Sequence, residues 1–181
     1  PIHSFIANSN QNLYDELYKF EWSAYLDENS SFVFDSVVSG EIFTHSLFAS
    51  QKAKDALVDK FRNKNGIRPN VDLKNPDIRF HLHIKNNICN LLIDSSGEPL
   101  NKRGYRTGTN IAPINEVLAA GIIKLSNWDM SNDFFDPMCG SGTFLIEAAL
   151  MACNIPANIN RDEFAFEKWL DWDPDLFEKI Q

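Results

Sequence analysis

The sequence predicts a mixed α/β fold in two parts, an α+β domain followed by the start of a second, open α/β domain. Three observations lead to this prediction. Helical and β-strand patterns alternate over the first 95 residues. The stretch 95–113 is rich in Gly, Pro, Ser and Asn, which is typical of a linker. Beyond it, a short apolar run leads into a glycine turn and an apolar helix, DPMCGSGTFLIEAAL (136–150).

Two helices and a strand are predicted first. Apolar spacing predicts one helix over 10–23 and another over 46–66. The second has basic residues in its last turns and Gly66 where a helix stop is expected. Between them, SFVFDSVVS (31–39) is β-branched and aromatic and predicts a strand.

A hairpin is predicted to complete the first part. IRFHLHI (78–84) alternates apolar and polar residues, which indicates a strand with one buried face. A polar link and a second apolar run at 88–94 supply its partner. His81 and His83 fall on the polar face of the first strand. Because no third ligand lies near them in the sequence, we expect no metal site.

The charge is distributed unevenly along the chain. The net charge is −8 overall, but it is −6 over residues 1–50, +6 over 51–110 and −8 over 111–181. A basic segment inside an acidic protein fits an electrostatic footprint for phosphate. Ordinary solvated Lys and Arg side chains explain the same charge equally well.

Three basic residues of the linker, Lys102, Arg103 and Arg106, surround Tyr105. This combination suits RNA, because a guanidinium binds phosphate bidentately while an aromatic ring stacks on a base. A structural latch between two domains is an equally good interpretation of the cluster.

The cysteines and the apolar runs indicate the compartment. Cys89, Cys139 and Cys153 have neither an even count nor metal-ligand spacing, so we expect reduced thiols. No apolar run reaches the roughly 20 residues that span a bilayer, and the N-terminus has no signal-peptide pattern. We therefore expect a cytoplasmic protein with no membrane partner.

A third helix and a strand are predicted to open the second part. Pro113 fits the first turn of a helix over 114–128 that carries an apolar stripe. The short run 133–136, which ends in Asp136, is predicted to be the first strand of a parallel sheet.

The turn that follows places two glycines between a predicted strand and a helix N-terminus, where open α/β folds bind ligands. A P-loop is excluded because no lysine follows Gly142, and a dinucleotide fingerprint is excluded because Leu145 stands where its third glycine is needed. An amino-acid-like ligand fits better, with its carboxylate on the helix amides and its ammonium near Asp136. S-adenosylmethionine has such an end. A structural turn without a ligand is the alternative.

The turn and the stretches upstream resemble a known family. DPMCGSGTFLIEAA resembles the first cofactor motif of class I methyltransferases, in the form used by RNA-modifying enzymes that act on exocyclic amines. KAKDALVDKFR, GIRPNVDLKNPDIRFHLHI, LLIDSSGEPLNKRGYR and IAPINEVLAAGIIKLSNW are similar, in order and spacing, to the THUMP domain and linker of bacterial 23S rRNA guanine-N2 methyltransferases. Members of this group also carry the name N6-adenine-specific DNA methylase. The resemblance covers nearly the whole chain.

The resemblance implies a domain plan and site residues. Residues 1–97 would be a THUMP RNA-binding domain without its usual N-terminal ferredoxin-like part, 98–112 a linker, and 113–181 the N-terminal portion of a Rossmann-like methyltransferase domain. The implied S-adenosylmethionine site comprises Asp136, Pro137, Cys139, Gly140, Ser141, Gly142 and Thr143. The implied contacts to large-subunit ribosomal RNA are Arg62, Lys64, Arg68, Lys102, Arg103, Tyr105 and Arg106.

The same resemblance shows what the 181 residues lack. Such enzymes hold the target amine with an Asn/Asp-Pro-Pro-aromatic tetrad, and no such tetrad occurs in this sequence. We therefore assign no catalytic residue and expect an inactive fragment with exposed apolar surface that favours self-association. Core packing is expected for the aromatic side chains Phe164, Phe166, Trp169 and Trp172. The rival functions are an adenine-N6 DNA methyltransferase and a non-catalytic RNA-binding adaptor.

Overall fold

The computed structural model describes residues 1–106 and 113–180. The chain forms two compact units, which are described separately. The first comprises residues 1–97 together with 165–180, and the second comprises the described residues of 98–164. The mixed α/β fold class predicted from the sequence is confirmed.

The first unit is built on a five-stranded sheet. Its strands are β1 (His3–Ile6), β2 (Ser31–Ser39), β3 (Asn70–Val71), β4 (Ile78–Lys85) and β5 (Ile88–Ile93). Their order across the sheet is β1-β5-β4-β2-β3. β2 pairs in parallel with β3 and β4, whereas the β4–β5 and β5–β1 pairs are antiparallel. The predicted β2 strand and the β4–β5 hairpin are confirmed, and the short strands β1 and β3 were not predicted.

Two helices pack with this sheet around one hydrophobic core. They are α1 (Asn10–Lys19) and α2 (Ser46–Asn65). The alternating strand β4 buries Ile78, Phe80, Leu82 and Ile84, as its pattern predicts. Trp22 lies at the centre of the core, where its ring contacts Phe34 and Phe80 edge-on. Its indole N–H donates to Leu17 O at 2.8 Å, so the polar atom of this buried ring is satisfied.

The two helices end where local chemistry requires it. α2 ends as predicted, because Gly66 adopts the left-handed conformation with φ 74° and its N–H bonds to Arg62 O at 2.9 Å. The predicted end of α1 at residue 23 was wrong. Phe20 leaves the helical conformation with ψ 140°, and a separate 3-10 helix, Trp22–Ala24, follows. This break turns Trp22 into the core.

Residues 165–180 pack within the first unit. They form a 3-10 helix (Ala165–Lys168) and α5 (Pro174–Ile180). Ala165 N–H and Phe166 N–H donate to Ser96 O and Ser95 O. Trp169 packs against the hydrophobic core, as predicted, while the rings of Phe166 and Trp172 lie 5.2 Å apart.

The second unit contains α3 (Glu116–Leu125) and α4 (Thr143–Ala152). The predicted bounds of α3 were too wide. Asn115 caps the helix by accepting from Val117 N–H and Leu118 N–H, so Pro113 precedes the helix rather than opening it. Asn127, with φ 55°, ends the helical conformation before Trp128.

The predicted strand at 133–136 does not form a paired strand. A strand needs a neighbour to hydrogen-bond with, and the described part of the second unit holds no other strand. The unit instead exposes large apolar side chains, as predicted, including Leu125 at 82%, Phe135 at 84% and Met138 at 90%. Self-association through these side chains stays a prediction.

None of the helices in the described part of the chain combines the length and the apolar character needed to span a membrane.

Candidate functional site in the glycine turn

The turn 136–143 is shaped by its own backbone hydrogen bonds. Asp136 Oδ1 accepts from Met138 N–H at 3.0 Å, and Gly142 N–H donates to Cys139 O at 2.7 Å. These bonds hold both ends of the loop. Gly142 is then the N-cap of α4.

The two glycines of the turn are favoured by backbone conformation, and the space beside them is open. Gly140 and Gly142 have φ of 54° and 74°, in the left-handed region that side-chain-bearing residues rarely adopt. A Cβ at either position would meet no described atom within 4 Å, so the backbone here faces open space. A ligand can therefore approach the main chain closely at this turn.

The start of α4 is chemically suited to an anion. Its cap residue Gly142 has no side chain, and no side-chain hydrogen bond caps the helix. The amide groups of the first helical turn, together with the positive end of the helix dipole, therefore favour a carboxylate or phosphate. Asp136 stands at the other end of the turn, where its carboxylate would attract an ammonium group.

The predicted cofactor residues differ in exposure. Pro137, Cys139, Gly140 and Ser141 are exposed, and Asp136 and Gly142 are half-buried. Thr143 is only 2% exposed. Its hydroxyl is used inside the unit, so any contact of Thr143 with a ligand falls to its backbone amide. The cofactor role of all seven residues stays a prediction.

Arg106 contacts this turn from the linker. Its Nη2 donates to Thr143 Oγ1 at 2.8 Å and to Ile114 O at 2.9 Å. Its Nε lies 2.9 Å from Glu116 Oε1 at the start of α3. Arg106 thus joins the linker, α3 and the first residue of α4.

A second set of contacts lies beside the first. Tyr105 donates its hydroxyl to Glu147 Oε1 at 3.1 Å, and Arg103 Nε lies 3.4 Å from the same oxygen. Burial, followed by the charge of Glu147, raises the pKa of Tyr105 to about 12. Tyr105 therefore stays a neutral hydrogen-bond donor at physiological pH.

These contacts bear on the residues predicted to bind RNA. Arg103 is 9% exposed, and Arg103, Tyr105 and Arg106 all bond to groups within the second unit. These contacts lie inside one unit and are not a latch between two domains, and the RNA-binding role of the three residues stays a prediction. The four other residues predicted to contact RNA are exposed: Arg62, Lys64, Arg68 and Lys102. Arg62 and Lys64 lie in the last turns of α2, and Arg68 follows Gly66.

The sequence interpretation missed the acidic partners of Arg103, Tyr105 and Arg106. Glu116 and Glu147 are buried, at 6% and 2% exposed. One signal was available, because Glu147 is the lone charge in the apolar helix TFLIEAALMA, and a buried charge requires a partner. Its pairing with Arg103 could not be deduced without the fold.

A cavity of about 750 Å³ also lies in the second unit, between α3 and α4. Its lining includes Ile123, Trp128, Glu147, Leu150 and Met151, and no residue of the turn contributes to it. The cavity is therefore separate from the candidate ligand site.

Comparison with known protein families matches two consecutive regions of the chain. Residues 7–94 match the THUMP domain family, and residues 103–180 match the family described as RMKL-like, methyltransferase domain. The chain thus carries a match to a THUMP domain followed by a match to an RMKL-like methyltransferase domain.

Individual relatives carry related names. The Ribosomal RNA large subunit methyltransferase K/L of Buchnera aphidicola is 40% identical over 99% of this chain and 26% of its own length. The solved structure of SMU.472, a methyltransferase candidate complexed with SAH, aligns with a TM-score of 0.87 and 33% identity over 99% of this chain and 47% of its own. A predicted N6-adenine-specific DNA methylase from Listeria monocytogenes aligns with a TM-score of 0.85 and 30% identity over the same shares. The chain thus spans a quarter to a half of the length of these relatives.

Proposed function

We propose that this chain is part of an S-adenosylmethionine-dependent methyltransferase that acts on large-subunit ribosomal RNA, at the exocyclic N2 of a guanine. The observation that carries the proposal is the turn 136–143, with two left-handed glycines facing open space before an uncapped helix. The relative solved with SAH supports the ligand, because SAH is S-adenosylmethionine without its methyl group. The names of the curated relatives support ribosomal RNA as the substrate.

The residues of the turn fit the amino-acid end of this cofactor. The open backbone at Gly140 and Gly142 admits the ligand, the first amides of α4 suit its carboxylate, and Asp136 suits its ammonium group. When bound, S-adenosylmethionine supplies an electrophilic methyl group on a sulfonium. In this proposal the residues of the turn bind the cofactor and orient it. No Asn/Asp-Pro-Pro-aromatic tetrad occurs in these 181 residues, so none of them is assigned to hold the target amine.

RNA binding is assigned to the exposed basic residues of the first unit. Arg62, Lys64 and Arg68 cluster in sequence around the end of α2, and the Arg62 side chain is 56% exposed. Arg62 lies 3.5 Å from Asp59, a surface ion pair that costs little to exchange for a phosphate contact. The described contacts of Arg103, Tyr105 and Arg106 make them poorer candidates.

The N6-adenine DNA methylase name of the Listeria relative keeps a second function open. Both functions use the same cofactor turn and differ in substrate. Methyl transfer from labelled S-adenosylmethionine to ribosomal RNA and to duplex DNA, measured side by side with the full-length protein, separates them. Label in DNA alone would replace the RNA proposal.

The test of the cofactor site is calorimetric titration of SAH into the full-length protein and its Asp136→Ala variant. We expect binding to the wild type, and a loss of at least tenfold in the variant, because a hydrogen bond or ion pair to a charged group contributes about 1.5–3 kcal/mol. Asp133→Ala, an exposed acid three residues earlier, is the matched control and should bind normally. RNA affinity should stay unchanged in both variants. Normal SAH affinity in Asp136→Ala would contradict the assignment.

A further inference from the structure

Arg106 holds the first residue of α4 through buried polar contacts. The residues it contacts, Glu116 and Thr143, are 6% and 2% exposed. The ion pair of Arg106, whose side chain is 20% exposed, with the buried Glu116 tolerates little displacement, because moving Arg106 away leaves the Glu116 charge uncompensated. The guanidinium also bonds to Ile114 O, so Nη2 is fixed by two acceptors. The Thr143 hydroxyl is therefore held in one place by the linker and α3.

The Thr143 hydroxyl also contacts a residue of the glycine turn. Thr143 Oγ1 lies 3.3 Å from Ser141 Oγ, and Ser141 is exposed. A hydroxyl that accepts from a cation becomes a better donor, since hydrogen bonds in a chain polarise one another. Thr143 is thereby favoured as the donor to Ser141. The Ser141 hydroxyl then keeps its own proton for an acceptor outside the chain.

We infer that Arg106 and Glu116 are positioning residues for the amino-acid end of the ligand that binds at the turn. They act through Thr143, which orients the Ser141 hydroxyl to donate to the ligand carboxylate. Arg106 does not attract the carboxylate by its charge, because Glu116 neutralises it at 2.9 Å. This inference rests on the proposed function, and it extends the site from the turn to the linker and α3.

The affinities for two ligands distinguish this positioning role from a purely structural role of the same contacts. SAH carries the amino-acid end, whereas 5′-methylthioadenosine keeps the adenosine and thioether but lacks that end. A variant that misdirects the Ser141 hydroxyl should weaken SAH alone. A variant that loosens the unit should weaken both ligands together. The ratio of the two affinities is thus insensitive to partial unfolding.

The experiment is titration of both ligands into full-length protein with substitutions at Thr143. Thr143→Val keeps the shape and removes the hydroxyl, and we expect about tenfold weaker SAH binding from the lost hydrogen-bond chain. Thr143→Ser keeps the hydroxyl and should stay within about twofold of wild type. 5′-Methylthioadenosine should bind all forms alike. Lys124→Ala, eight residues and about 12 Å along α3 from Glu116, is the cation-removing control.

A double-mutant cycle tests the part played by Arg106. Arg106→Gln should weaken SAH binding, and adding Thr143→Val should cause no further loss, because both changes break one chain. Additive losses, parallel losses of 5′-methylthioadenosine, or unchanged SAH affinity would overturn the inference while leaving the proposed function intact. A wild-type protein that binds no SAH would overturn the proposed function and the inference with it.

Discussion

At the scale of single residues, the three cysteines occupy different environments. Cys89 is fully buried in β5, and burial raises the pKa of its thiol to about 12. Cys139 and Cys153 are exposed, and Cys139 lies in the candidate cofactor turn. The thiols therefore report on two different parts of the molecule.

We expect Ellman's reagent at pH 8 to modify Cys139 and Cys153 in the folded protein and Cys89 only after unfolding. The thiolate is the reactive form, and the pKa of Cys89 keeps its thiol protonated as well as inaccessible. Absorbance of the released thiolate gives the count directly. In full-length protein SAH should slow modification of Cys139, with Cys153 as the internal control. Fast labelling of Cys89 would contradict the buried position of β5.

The difference between predicted and observed site residues also belongs to this scale. The turn 136–143 was recognisable because glycines with positive φ and a following apolar helix leave a local sequence pattern. The pairing of Arg103 with Glu147 leaves no such pattern, since its partners are 44 residues apart. The sequence interpretation therefore found the cluster of arginines and left its role open between RNA contact and latch.

At the scale of elements, prediction succeeded where the pattern was long and failed where it was short. β4 alternates over eight residues and α2 runs for 20, so their periodicities are unambiguous. β1 and β3 have four and two residues, too few to show a period. Their formation depends on neighbours, because β1 pairs with β5 and β3 with β2.

The end of α2 offers a test of backbone conformation. Gly66 has φ 74°, and a Cβ added there would meet nothing within 4 Å, so a substitution acts through strain alone. We expect Gly66→Ala to lower the free energy of unfolding by about 1 kcal/mol, measured in urea. Asn tolerates the left-handed conformation, so Gly66→Asn should cost clearly less. Equal effects of the two variants would exclude the strain explanation.

At the scale of the whole molecule, charge is the property that relates the chain to a polyanion. A net charge of −8 repels RNA at long range, so binding requires a local concentration of cations. Some cations of the basic segment 51–110 bond to groups of the first unit. Lys60 donates to the carbonyls of Lys19 and Phe20, and Arg79 pairs with Asp35 at 2.6 Å. Arg62, Lys64 and Arg68 are exposed near the end of α2 and can supply that concentration.

We expect the triple variant Arg62→Gln, Lys64→Gln, Arg68→Gln to weaken RNA binding and flatten its salt dependence. Each lost phosphate contact removes about 0.7 from the slope of log affinity against log salt for single strands, so the slope should fall by up to about two. The control is Lys52→Gln, Lys54→Gln, Lys74→Gln, which removes the same charge from the same unit. Along α2, Lys54 lies about 12 Å from Arg62, and Lys52 lies farther away, so both exceed the roughly 8–10 Å over which salt leaves charges interacting. Equal slope losses in both triples, read from fluorescence anisotropy at several salt concentrations, would show that net charge controls the affinity and that the end of α2 is no specific contact.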